Sequence, residues 1–204
     1  MNQFDIKARE WDKNTIHTER TKAIAATMLE MIPLSNSMKA LEYGAGTGLL
    51  SFELAGKLGE VLLMDSSNEM IRVANEKILQ SGIQNIKAKF FDLEKEDYNE
   101  SKFDIIFNQM VLHHIGDVQA IFQKFFALLT KNGILSISDI YTEDGSFHDG
   151  DFTGHKGFEP TDLQHLLEKI GFKNIAYRTC FTIKKVKEDK LTHEYPVFLL
   201  VAQK

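Results

Sequence analysis

Short β-branched or aromatic runs alternate with helical periods along most of the chain, and that alternation limits the folds open to it. MKALEY (38–43), EVLLMD (60–65), IKAKFFD (86–92), FDIIFNQ (103–109) and ILSISDI (134–140) each have the length and residue types of a strand. Helical spacing falls between them. One helix is expected from about Leu49 to Leu58, and a second from the capping box Ser66-Ser67-Asn68-Glu69 to about Gln80. A third is expected over 116–130, ended by the Lys-Asn-Gly turn at 131–133. Thr18–Ile32 forms a further helix stopped by Pro33, and another opens at the capping box Thr161–Gln164 and closes at Gly171. Such alternation implies an α/β domain with a mostly parallel sheet and helices on both faces. The last two strands, in FKNIAYRTCFTIKKV and EYPVFLLVAQK, have no helix between them and should pair as an antiparallel hairpin.

At 204 residues, without repeats or a low-complexity linker, the chain is expected to form one domain. Three segments follow from the pattern: residues 1–35 as a helical lid, 36–140 as a binding core, and 141–204 as an irregular loop, a helix and the hairpin. Net charge is −5 with no basic stripe, so a nucleic-acid partner is not expected. One cysteine, Cys180, excludes an internal disulfide framework. No apolar stretch approaches the roughly 20 residues that cross a bilayer, and the polar N-terminus lacks a signal-peptide core. The expectation is a cytoplasmic protein without a membrane partner, monomer or homodimer.

In a parallel α/β sheet, ligands bind beyond the carboxyl ends of the strands. LEYGAGTGLL (41–50) lies at the first of these ends, with Gly44, Gly46 and Gly48 at alternate positions. A dinucleotide fingerprint starting at Gly44 wants glycine at position 49, where Leu49 stands. A P-loop wants a Gly-Lys-Ser/Thr that is absent. Asp65 closes the second strand about 20 residues beyond the loop, where a carboxylate can accept both hydroxyls of a ribose. Asp92 closes the third, with Leu93 beside it as an apolar wall for an adenine.

These residues together resemble the class I S-adenosylmethionine-dependent methyltransferases, from about residue 38 to the C-terminus. ALEYGAGTGLL is similar to the family's acidic-G-x-G-x-G motif, VLLMDSSNEMI to the ribose-binding motif, FFDLEK to the third motif and FDIIFNQMVLHHI to the fourth. LLTKNGIL resembles the family's L-K-P-G-G turn, with Asn132 in place of proline. The resemblance implies a three-layer Rossmann-like sandwich, a seven-stranded mostly parallel sheet with an antiparallel C-terminal hairpin, and S-adenosyl-L-methionine as cofactor. It implies that Gly44, Ala45 and Gly46 contact the cofactor's amino-acid end and that Glu42 orients the loop or reaches the ammonium through water. Asp65 and Ser66 would meet the ribose, Met70, Asp92 and Leu93 the adenine, and Asn108 and Gln109 the methionine part.

The acceptor is expected to be a small molecule. The fourth motif, Asn108-Gln109-Met110-Val111, lacks the Asn/Asp-Pro-Pro-aromatic sequence of methylases that act on exocyclic base amines. His113 and His114 follow that strand and are the candidate catalytic bases. His148, Asp149, Asp151 and His155 include metal-ligand types, but the loop holding them reads as a solvated lid and no metal is expected. Trp11, Arg9 and Arg20 are candidates to fold over the cofactor. Two alternatives stay open: a nicotinamide-dependent oxidoreductase, and a non-catalytic module that binds the same cofactor.

Overall fold

The computed structural model describes residues 3–148, 152–187 and 190–204. Seven strands form one sheet: β1 (Lys39–Tyr43), β2 (Glu60–Asp65), β3 (Ile86–Phe90), β4 (Phe103–Gln109), β5 (Leu129–Ile140), β6 (Lys173–Val186) and β7 (Thr192–Gln203). Their order is β3-β2-β1-β4-β5-β7-β6. The first five run parallel, and β7 pairs antiparallel with both β5 and β6. In β1 and β4 almost every residue is buried, because both faces of the parallel sheet are covered.

The helices are α1 (Gln3–Lys7), α2 (Thr15–Met31), α3 (Leu49–Leu54), α4 (Asn68–Ser81), α5 (Val118–Leu128) and α6 (Pro160–Ile170). Ile24 and Met28 of α2, Leu50 and Leu54 of α3 and Ala74 of α4 fill the core on one face. Phe122 and Phe125 of α5 with Leu163 and Leu167 of α6 fill the other. Three layers result: the alternation of strands and helices implies the helices on both faces, and the family resemblance implies the Rossmann-like sandwich they form.

Local chemistry sets the boundaries, and several differ from expectation. Ser67 caps α4 by accepting from Met70 N (3.2 Å), and Gly82 ends that helix in the left-handed region. The polar N-terminal stretch is itself helical: α1 is followed by a 3-10 segment, Ala8–Lys13. Asn14 then caps α2 by accepting from Ile16 N, so the helix starts at Thr15, three residues before the expected Thr18. Helix α6 begins at Pro160 with no side-chain cap, because proline at the first position supplies the helical φ; Thr161 lies inside the helix. Helix α5 ends at Leu128, so Lys131-Asn132-Gly133 lies inside the extended β5 segment, with Asn132 at φ 65°. Strand β3 stops at Phe90, which leaves Asp92 in a turn.

Candidate functional site

A cleft of about 1360 Å³ opens beyond the carboxyl ends of β1, β2 and β4. The order reverses there, since β1 lies between β2 and β4 and its two connections leave in opposite directions. The volume exceeds the roughly 300–1,000 Å³ of a pocket for one small ligand.

The glycine loop forms its floor. Gly44 holds φ 65°, and a Cβ there would lie 2.5 Å from Val111 Cγ2. Gly46 holds φ 55°, but a Cβ there would meet nothing closer than Met70 Sδ at 3.8 Å. Gly44 is therefore required by packing, and Gly46 leaves bare backbone facing the cleft. Asp65 Oδ2 accepts from Gly46 N (2.7 Å) and Oδ1 from Ser67 N (2.8 Å). Burial pushes the Asp65 carboxyl above its usual range, against the pull of those two amides. Glu42 is fully buried beneath the loop and accepts from Ser51 N (3.1 Å) and Ser51 Oγ (2.5 Å). Its Oε1 is buried with no hydrogen-bond partner among the described residues, and burial raises the carboxyl to about 7.

The N-terminal segment is seated on this floor. Asp12 accepts from Thr47 Oγ1 (2.5 Å) and Lys77 Nζ (2.5 Å), while Lys77 also donates to Thr47 O (2.9 Å). Ser67 Oγ donates to Asp5 Oδ1 (2.6 Å). Phe4 and Trp11 line the cleft beside Met70, and Trp11 packs on His17 with ring centroids 4.3 Å apart. Arg20 reaches the wall from α2; it is almost wholly buried, its Nε has no hydrogen-bond partner among the described residues, and burial lowers it to about 10 against the attraction of Asp139. Arg9 is exposed and lies off that wall.

The opposite end of the cleft is built from histidines. His113 and His114 sit in a short 3-10 turn after β4. Asp139, fully buried near the end of β5, lies 2.6 Å from His113 Nδ1, and its second oxygen accepts from His113 N (3.2 Å). His148 arrives from the loop after β5, with its ring centroid 5.1 Å from that of His113 and 5.5 Å from that of His114. It stacks on Phe152 at 3.7 Å. Burial, reinforced by the neighbouring imidazoles, lowers His114 to about 3 and His148 to about 4. At neutral pH both are uncharged and keep a free lone pair.

The sequence-derived residues divide by location. Gly44, Ala45, Gly46, Asp65, Ser66 and Met70 line the cleft, as do Gln109, His113 and His114. Glu42 lies under the loop, and Gln109 Oε1 accepts from Thr21 Oγ1 (3.0 Å). Asn108 is buried off the lining, and neither of its amide atoms has a hydrogen-bond partner among the described residues. Asp92 pairs with Lys95 (2.7 Å) and Leu93 is wholly buried in the core. From that turn it is Glu94 that reaches the cleft, while accepting from Gly116 N (3.0 Å). His155 also lines the cleft, its backbone N donating to His113 O (2.8 Å) and its Nε2 lying 3.0 Å from Ile115 O, and Asp149 and Asp151 lie outside the described residues. The sequence reading gave no role to Asp12, Lys77 or Asp5, whose partners are distant in the chain. Asp139 carried one usable signal, an acid at the end of the fifth strand.

A strand-end cleft with a glycine floor, a loop-bonded Asp65 and a glycine loop that lacks the P-loop lysine narrows the family. Residues 34–194 match the family described as Methyltransferase domain. The chain belongs to the class I S-adenosylmethionine-dependent methyltransferases. It is 27% identical over 155 residues to an uncharacterised methyltransferase of Schizosaccharomyces pombe, covering 68% of this chain and 55% of that one. It is 30% identical over 109 residues to a ubiquinone biosynthesis O-methyltransferase of Pelagibacter ubique, covering 53% of this chain and 44% of that one. The chain thus spans about half the length of these relatives. Phosphoethanolamine N-methyltransferase 2 of Haemonchus contortus, solved in complex with S-adenosyl-L-methionine, shares the fold. Its TM-score is 0.71 at 15% identity, over 88% of this chain and 52% of that one. The family's cofactor fits what the residues offer, because the bare Gly46 backbone and the Asp65 carboxylate face a cleft large enough for it.

Proposed function

We propose that the protein transfers a methyl group from S-adenosylmethionine to a small-molecule acceptor that enters at the histidine end of the cleft. The observation that carries this reading is continuity: a single cleft joins the Gly44–Gly46 floor and Asp65 to His113, His114 and Arg20. Bound there, the cofactor supplies a sulfonium-activated methyl group. Asp65 would hold the ribose hydroxyls, Met70 and the turn carrying Glu94 would border the adenine, and the loop backbone with Gln109 would face the methionine part. Phe4, Trp11 and the Asp12–Lys77 contact keep the N-terminal segment over the site and exclude water, which favours alignment of an acceptor with the methyl.

In this reading His113 would activate the attacking atom, with the Asp139 contact at its Nδ1 setting its orientation. His114, lowered to about 3, would be a weak base and would border the acceptor. A small acceptor agrees with the net charge of −5 and with the volume left beside a cofactor. The relatives' names point the same way, with acceptors of phosphoethanolamine and ubiquinone-biosynthesis type. Among the described residues no helix is long and apolar enough to cross a membrane. The test is formation of S-adenosylhomocysteine from the cofactor and a panel of phenols, quinols, thiols, amines and carboxylic acids. Turnover on one class is expected. Cofactor binding with no turnover on any class would favour the non-catalytic module.

A further inference from the structure

We propose that His113, His114 and His148 form a binding site for a divalent cation of the zinc class at the acceptor end of the cleft. One ligand nitrogen from each of the three rings lies within 4.8 Å of the other two. Zinc–imidazole bonds of about 2.0–2.1 Å place tetrahedral ligand atoms about 3.4 Å apart. At most about 1.4 Å of closure is then needed between any pair, and all three residues line the cleft.

Two further observations point to a ligand. Asp139 Oδ1 lies 2.6 Å from His113 Nδ1, a contact that an Nδ1–H donor satisfies, and that tautomer presents Nε2 for coordination. A carboxylate behind an imidazole is the arrangement that orients metal-ligating histidines and raises their basicity. Separately, His148 Nε2 is buried and has no hydrogen-bond partner among the described residues. A buried polar nitrogen left in that state is costly, and a cation in the centre of the trio would engage it.

The donor set selects the ion. Three imidazole ligands suit zinc, cobalt, nickel or copper, whereas magnesium and calcium require oxygen ligands. Three protein ligands leave a fourth position open, as in catalytic zinc sites. The cleft lining is mixed in charge, with Lys7, Arg20 and Lys185 beside Glu10, Asp65 and Glu94. Lys7 and Lys185, however, are the charged groups of the cleft wall that act on His148, and they favour an anion in that position. An acceptor with an ionisable S–H or O–H group meets the requirement: on coordination it loses its proton to solvent and presents a thiolate or alkoxide-like oxygen. That consequence rests on the methyl-transfer reading, but cation binding itself does not.

The experiment uses tag-free, metal-stripped protein titrated with Zn2+ by calorimetry and with Co2+ by visible absorption. One equivalent should bind, with the intense visible bands of four- or five-coordinate cobalt. His114→Ala and His148→Ala should each weaken binding at least tenfold, and Asp139→Asn, which acts through His113, about 10–100-fold. His165→Ala, exposed on α6, should leave it unchanged. S-adenosylhomocysteine affinity of His148→Ala should equal that of the wild type, which shows an intact fold and keeps the two readings separate. Weak octahedral-type cobalt absorption, or equal binding to His114→Ala and His148→Ala, would overturn the proposal.

Discussion

Replacing Glu42 with glutamine should abolish a pH-dependent loss of stability in the ligand-free protein. Glu42 is fully buried, and burial raises its carboxyl from 4.5 to about 7. The folded chain therefore holds this proton more tightly than the unfolded chain. The resulting stability is fully present below about pH 4.5 and is lost as pH rises through about 7. At 1.36 kcal/mol per pH unit the difference amounts to about 3 kcal/mol. Glutamine keeps an oxygen to accept from Ser51 N and Ser51 Oγ, and carries no charge to desolvate. Thermal unfolding of both proteins at pH 5 and pH 8.5 isolates the effect. For a domain of this size about 3 kcal/mol corresponds to roughly 6–12 °C in Tm. Glu42→Gln should melt that much higher than wild type at pH 8.5, with most of the gap gone at pH 5. Parallel pH profiles for the two proteins would show that Glu42 does not titrate in this window and that the reasoning is wrong.

Gly44→Ala would place its methyl 2.5 Å from Val111 Cγ2 at φ 65°. Overpacking and left-handed backbone together should cost about 2–4 kcal/mol, read as a lower Tm. Gly44→Ala/Val111→Ala should recover the packing share alone, and a single variant as stable as wild type would contradict the loop geometry. Lys77→Ala should cost less than about 1 kcal/mol of stability, because the Lys77–Asp12 pair is partly exposed. It should nevertheless speed proteolytic cleavage before Asn14 and weaken cofactor binding, since that pair ties the N-terminal segment to Thr47. Unchanged proteolysis would remove the case for a seated lid.

The fold was legible because its determinants are local. EVLLMD and FDIIFNQ coincide with β2 and β4 to the residue, since each run is bounded by turn or polar residues. Glycine at 82 and 171 ends α4 and α6 through the backbone alone. Boundaries shifted where a local signal lost to another: Pro160 overrode the capping box at Thr161, and β3 ended before Asp92. The site was legible at the strand ends, where topology alone assembles residues. It was hidden where partners come from remote segments, as with Asp12 and Lys77, 65 positions apart, or His113 and Asp139, 26 apart. Sequence placed His148 with Asp149, Asp151 and His155 in one loop; packing instead sets its ring against His113 and His114.

Calorimetric titration of wild type and Asp65→Ala with S-adenosylhomocysteine tests the central claim most directly. Wild type should bind one equivalent. Loss of two hydrogen bonds to a carboxylate, at about 1.5 kcal/mol or more each, should weaken Asp65→Ala at least about a hundredfold. Circular dichroism should show the variant folded. Failure of the wild type to bind, or equal binding by Asp65→Ala, would contradict the account.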